Sequence, residues 1–218
     1  MPVPPASTLL AFVGASVVLA LIPGPSLLFT LGRAISSGRR EALLTVAGNG
    51  LGVFTQSVGV AAGLGPVVAA SATAYTVLKV AGALYLVWLG IGALRHRRAL
   101  IAELRDDVDL AARTPAIHAL RRGFVVGLTN PKTIVFFGAL LPQFVDRSAG
   151  PAWVQMVVLG AIFVAIAMSS DASVALLAGR ARDWFASSPR RMERVGGAGG
   201  LMMVGLGVGL LFTGRPES

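Results

Sequence analysis

The chain has 218 residues, 55% of them hydrophobic and only 13% charged, where a soluble domain carries about a quarter charged. That balance excludes an ordinary soluble domain and points to an integral membrane protein. Cysteine is absent, which excludes a disulfide framework and a Cys-based metal site, and the net charge of +9 takes its meaning from where the charges lie.

Apolar runs of about 20 residues are candidate membrane spans, and six are expected, at 6–32, 42–64, 68–94, 123–145, 152–179 and 195–213. No Lys or Arg precedes Arg33, so the first run lacks the basic start of a secretory signal and reads as a mature segment. It is interrupted by Pro23-Gly24-Pro25. The second and third runs meet at an expected tight turn at Gly65-Pro66. A polar stretch, 95–122, separates the third run from the fourth. Its Leu100, Ile101, Leu104 and Val108 have helical spacing, which suits either a short amphipathic helix on the membrane surface or a solvated connector. The fourth run holds Asn130-Pro131-Lys132, and the fifth holds Asp171, the only acid within a run.

Fifteen basic residues fall after the first, third and fifth runs, beginning with Arg33, Arg39 and Arg40. Only Arg147 and Arg215 fall on the other side. This asymmetry orients the chain with both termini outside the cytoplasm. The positive charge is therefore a topology signal, and no nucleic-acid partner is expected. Three runs in each half, being an odd number, would give 1–94 and 123–218 opposite orientations. The two halves would form inverted three-helix repeats with 95–122 as a cytoplasmic loop between them.

A proline inside a helix removes a hydrogen bond, and carbonyls freed in hydrocarbon have no water to turn to. Paired interruptions in corresponding spans are the strongest pointer to a transport site, against packing kinks as the plainer reading. Pro25 lies eight residues from Arg33, Asn130 eight from Arg122, Asn49 eight from Glu41 and Asp171 nine from Arg180. Four spans thus bring their unusual groups to one level, about 12–14 Å from the basic edge. One tension remains: Pro25 comes late in its run and Pro131 early, whereas strict inversion would mirror their depths.

A lone carboxylate in the bilayer is costly unless paired or hydrated. Asp171 is therefore a candidate proton carrier with Lys132 as its partner, or half of a static ion pair joining two spans. Lys79, with Tyr75 and Gln56, is expected either to line an outer vestibule or, for the lysine, to snorkel outward. The spacings Gly48-x-x-x-Gly52, Gly59-x-x-x-Gly63, Gly196-x-x-x-Gly200 and Gly205-x-x-x-Gly209 suit close helix contacts within the chain or a homodimer contact. No Walker A motif is present, no membrane-embedded histidine completes a hydrolase triad, and no His or carboxylate cluster lies in a run to bind a metal. Neither an enzyme nor a cofactor is expected.

Two stretches, IPGPSLLFTLGRAISSGRREALLTVAGNGLG (22–52) and RRGFVVGLTNPKTIVFFGALLPQFVD (121–146), resemble the LysE/RhtB family of amino-acid exporters. The first carries the family's Pro-Gly-Pro motif and its Gly-Arg-Arg turn, and the second its Asn-Pro-Lys and Pro-Gln-Phe-Val motifs. The resemblance implies proton antiport of amino acids or related zwitterions out across a bacterial inner membrane. It implies binding residues at Pro23, Gly24, Pro25, Asn49, Asn130, Pro131, Lys132 and Asp171. The alternatives are an exporter of another small solute or ion, and a non-transport scaffold or insertase-like module.

Overall fold

Pro23 forces the residue before it out of the helical region, and the first helix stops there. In the computed structural model, which describes residues 4–70, 72–95, 116–178 and 188–212, α1 (Ala6–Leu21) ends at Ile22 in an extended conformation. Gly24 is extended as well, and α2 (Pro25–Ser36) restarts with Pro25 in its first turn. A proline fits there because the first turn needs no donor from it. The two pieces are bent by 52°. The second interruption is built the same way. Helix α5 (Ala116–Leu128) ends, Asn130 caps α6 (Pro131–Val135) by accepting from the Lys132 N–H at 3.1 Å, and Pro131 again occupies the first turn. There the bend is 41°.

Helix α6 widens into a π-helical turn over Phe136–Leu140, then tightens to 3₁₀ geometry over Leu141–Phe144. The turn places Phe136 and Phe137 against Phe12 of α1 and Phe163 of α7 (Ala152–Ala178), with ring centroids 4.9–6.1 Å apart. These rings anchor the main apolar core. The connector that follows is fixed by Gln155, whose amide nitrogen donates to the Asp146 and Gly150 carbonyls and whose oxygen accepts from the Asp146 N–H. Hydrogen bonds from the Ser148 hydroxyl and N–H hold the exposed Asp146 carboxyl below the usual carboxylate range.

The remaining helices are α3 (Arg39–Ala70), α4 (Ala72–Arg95) and α8 (Pro189–Phe212). All the described elements are helical. Helices α3 and α7 are each long and apolar enough to cross a membrane alone, and the two bent pairs qualify if each counts as one span. Side chains such as Leu10, Trp88 and Phe212 stand on the outside, as acyl chains would favour.

Helix α3 packs on α5 and α7, and α4 packs on α8. Glycine sets the closest of these approaches. A Cβ on Gly48 would overlap the Leu120 carbonyl, one on Gly52 the Phe124 carbonyl, one on Gly123 the Thr45 carbonyl and one on Gly127 the Asn49 carbonyl. Gly48 and Gly52 are thus used inside the chain, as is Gly200 against α4, whereas Gly59, Gly63, Gly205 and Gly209 meet nothing within 4 Å.

Three expectations are corrected. The turn at Gly65-Pro66 does not form: α3 runs through both residues to Ala70. Arg33 is not a connector residue. Helix α2 carries it inward, 1% exposed, and the chain reverses only at Gly38, whose φ of 89° suits glycine. The polar stretch expected over 95–122 gives way to α5 at Ala116, so His118, Arg121 and Arg122 are helical. Its amphipathic portion falls in 96–115, outside the described residues.

Candidate functional site

Each interruption leaves carbonyls that hydrocarbon cannot satisfy, and in each case a side chain from another passage supplies the donor. The Lys132 ammonium reaches across to α1 and donates to the Leu19 and Ile22 carbonyls at 3.0 and 2.9 Å. Gln56 of α3 donates to the Leu128 and Asn130 carbonyls at 2.9 and 3.3 Å, and the Thr133 hydroxyl adds a bond to Asn130 at 3.1 Å. Gln56 therefore belongs to the second interruption and not to an outer wall with Lys79. Its Nε2 is spent on these carbonyls, while its Oε1 is buried with no hydrogen-bond partner among the described residues.

Between the interruptions runs a chain of side-chain hydrogen bonds. Asn130 Nδ2 donates to Ser26 Oγ at 2.8 Å, the Ser26 hydroxyl donates to Asn49 Oδ1 at 2.9 Å, and Asn49 Nδ2 approaches Asp171 Oδ2 at 3.4 Å. The amide orientations are mutually fixed. Asn130 Oδ1 must accept from the Lys132 N–H, so its nitrogen faces Ser26. Ser26 then donates onward, and Asn49 turns its own nitrogen to the carboxylate. All four donors point the same way, toward Asp171, so that each bond polarises the next.

Ser26, Asn49, Asn130, Lys132 and Asp171 are all buried, and they come from α2, α3, the α5–α6 junction and α7. Residues expected at one level are thus brought together. Lys132 and Asp171 do not pair directly: the ammonium is held by the α1 carbonyls, and the carboxylate takes its bond from Asn49. Gly24 faces the lysine, and a Cβ there would sit 3.4 Å from Nζ. Pro23 meets α8, where a Cβ on Gly199 would overlap its carbonyl. Lys79 is half-buried on α4 and lies outside the network. Tyr75 lies on the same helix, with its side chain outside the described residues.

Ser26 is the member that sequence reasoning missed. Replacing it with alanine leaves two buried amides each short of a partner, at about 1–3 kcal/mol. Ser26→Thr keeps the hydroxyl. The expected result is a lower unfolding temperature for Ser26→Ala than for Ser26→Thr. Equal stabilities would show that the link carries no energy.

The model of the LysE type translocator family matches residues 17–214. The chain belongs to the LysE type translocator family. It is 37% identical to an uncharacterized membrane protein of Vibrio cholerae over 210 residues, which are 94% of this chain and 97% of that protein. It is 36% identical to the homoserine/homoserine lactone efflux protein of Salmonella typhimurium, over 89% and 92% of the two chains. With the leucine efflux protein of Klebsiella pneumoniae it shares 28% identity over 90% and 91%. No solved structure matches. As a translocator-family member the chain is not an enzyme, and among the described residues no His, Cys, Asp or Glu group could hold a metal ion.

Proposed function

We propose that this translocator exports amino acids or related small zwitterions across a bacterial inner membrane by alternating access, in exchange for protons. The observation that carries the reading is the buried chain from Lys132 to Asp171, closed on two interrupted helices. A scaffold has no use for a carboxylate, two amides and a hydroxyl at the most interrupted level of an apolar bundle. The relatives named as homoserine and leucine efflux proteins support an amino-acid substrate.

The site offers both poles of a zwitterion a place. Asp171 and the unpartnered Gln56 Oε1 are acceptors suited to an α-ammonium. No side chain caps the α2 N-terminus at Gly24, so its N–H groups and helix dipole suit a carboxylate. In the cycle we envisage, the substrate ammonium displaces Asn49 from Asp171, and a proton arriving from outside displaces the ammonium. The six passages would act as two inverted repeats, 1–94 and 123–218, joined by the 95–122 segment whose last part is the start of α5, with both termini outside. Packing is consistent with that exchange: α3 meets α7, α4 meets α8, and the contact of α3 with α5 has its counterpart in that of α7 with α1 and α2.

The test is reconstitution into vesicles with an imposed pH gradient and a panel of labelled neutral and basic amino acids. We expect gradient-driven movement of at least one, abolished by a protonophore. No movement of any would defeat the reading.

A further inference from the structure

Carbonyls at the C-terminal end of a half-helix are a cation site. The helix dipole leaves that end partly negative, and transporters with interrupted helices hold coupling ions such as sodium on such carbonyls. Here the end of α1 is formed in that way. Pro23 stops the helix, and the Leu19 and Ile22 carbonyls converge on one point. That point is occupied by the Lys132 ammonium at 3.0 and 2.9 Å. The lysine arrives from the other interruption, one residue after Pro131, and is itself 7% exposed. Gly24 stands beside it, where a Cβ would lie 3.4 Å from Nζ and 3.5 Å from the Met203 methyl carbon.

We propose that the Leu19 and Ile22 carbonyls form a monovalent-cation site which this chain fills with its own tethered Lys132 ammonium in place of a free coupling cation. An ammonium and an alkali cation ask the same of a site: oxygen ligands and a negative potential. Tethering gives the lysine a standing advantage, so no free cation competes with it. Two consequences follow. The wild-type chain has no sodium requirement, and removing the side chain turns the site into one for a small free cation.

The inference concerns an ion site and is read by stability, so it stands or falls apart from the amino-acid reading. Purified wild type, Lys132→Ala and Lys132→Arg are melted in choline chloride, then with sodium, potassium or methylammonium chloride at matched ionic strength. Lys132→Ala should show a saturable rise in melting temperature of about 5–10 °C with at least one small cation at a roughly hundredfold excess over its dissociation constant. Wild type and Lys132→Arg, which carry their own cation, should show none. If Lys132→Ala folds too poorly to melt, its folded yield is compared after extraction with and without those cations, and recovery by a small cation supports the site. A variant indifferent to every cation overturns the proposal, and so does a wild type whose melting temperature rises with sodium.

Discussion

Asp171→Asn is expected to lose export driven by a pH gradient while retaining exchange of labelled for unlabelled substrate at equal pH. Asparagine keeps the shape of the side chain and can still meet Asn49 Nδ2 with its carbonyl oxygen, which is 3.4 Å away in the native chain. The fold therefore has little reason to change. What asparagine cannot do is carry a proton or present a full negative charge to a substrate ammonium. Hydrogen bonds to charged groups contribute about 1.5–3 kcal/mol, which corresponds to roughly ten- to a hundred-fold in binding or flux. Asp171→Glu keeps the charge but pushes it about one methylene toward Asn49, so it should fall between the two. The measurement is uptake and counterflow in vesicles with and without a gradient. Gradient-driven flux within twofold of wild type in Asp171→Asn would remove Asp171 from the coupling step and leave it a structural acceptor.

What was legible in the sequence was whatever the bilayer makes expensive. Proline and glycine inside an apolar run, an acid with no neighbouring charge and two amides at matching distances from basic residues all stand out, because hydrocarbon tolerates none of them without a partner. Those residues do converge. What was not legible were the partners. Ser26 looks like any serine in a helix, and only its position between two amides makes it a link. The charges of Lys132 and Asp171 suggested an ion pair; Pro23 marks the carbonyls it frees, but nothing in the sequence says that the lysine is the side chain that reaches them. Gln56 was misplaced for the same reason, since its acceptors are backbone groups of the α5–α6 junction. Arg33 resembled a boundary residue because charge usually ends a span; here the restarted helix runs two turns beyond Pro25 and takes the arginine inside.

The glycine spacings show how the same pattern can mean opposite things, and they set up the second large effect. Gly127→Ala should destabilise the chain strongly and disturb the polar network, whereas Gly59→Ala should not. At Gly127 a Cβ would overlap the Asn49 carbonyl and lie 2.9 Å from Asn49 Oδ1, the atom that accepts from Ser26. Neither neighbour is the free end of a flexible side chain. Relief requires α5 to move off α3, and that motion also disturbs the nearby contacts at Gly48, Gly52 and Gly123. Overpacking costs about 1–3 kcal/mol where side chains can yield, and here backbone must yield, so the loss should exceed that range. At Gly59 a Cβ meets nothing within 4 Å, and alanine is the better helix former by about 1 kcal/mol. Both variants add one methyl group to a helical position, so their difference isolates the crossing. Thermal unfolding in detergent checks it. If the two variants melted together, the α3–α5 crossing would be looser than these contacts require, and the position of Asn49 would have to be set by something other than the glycines facing it.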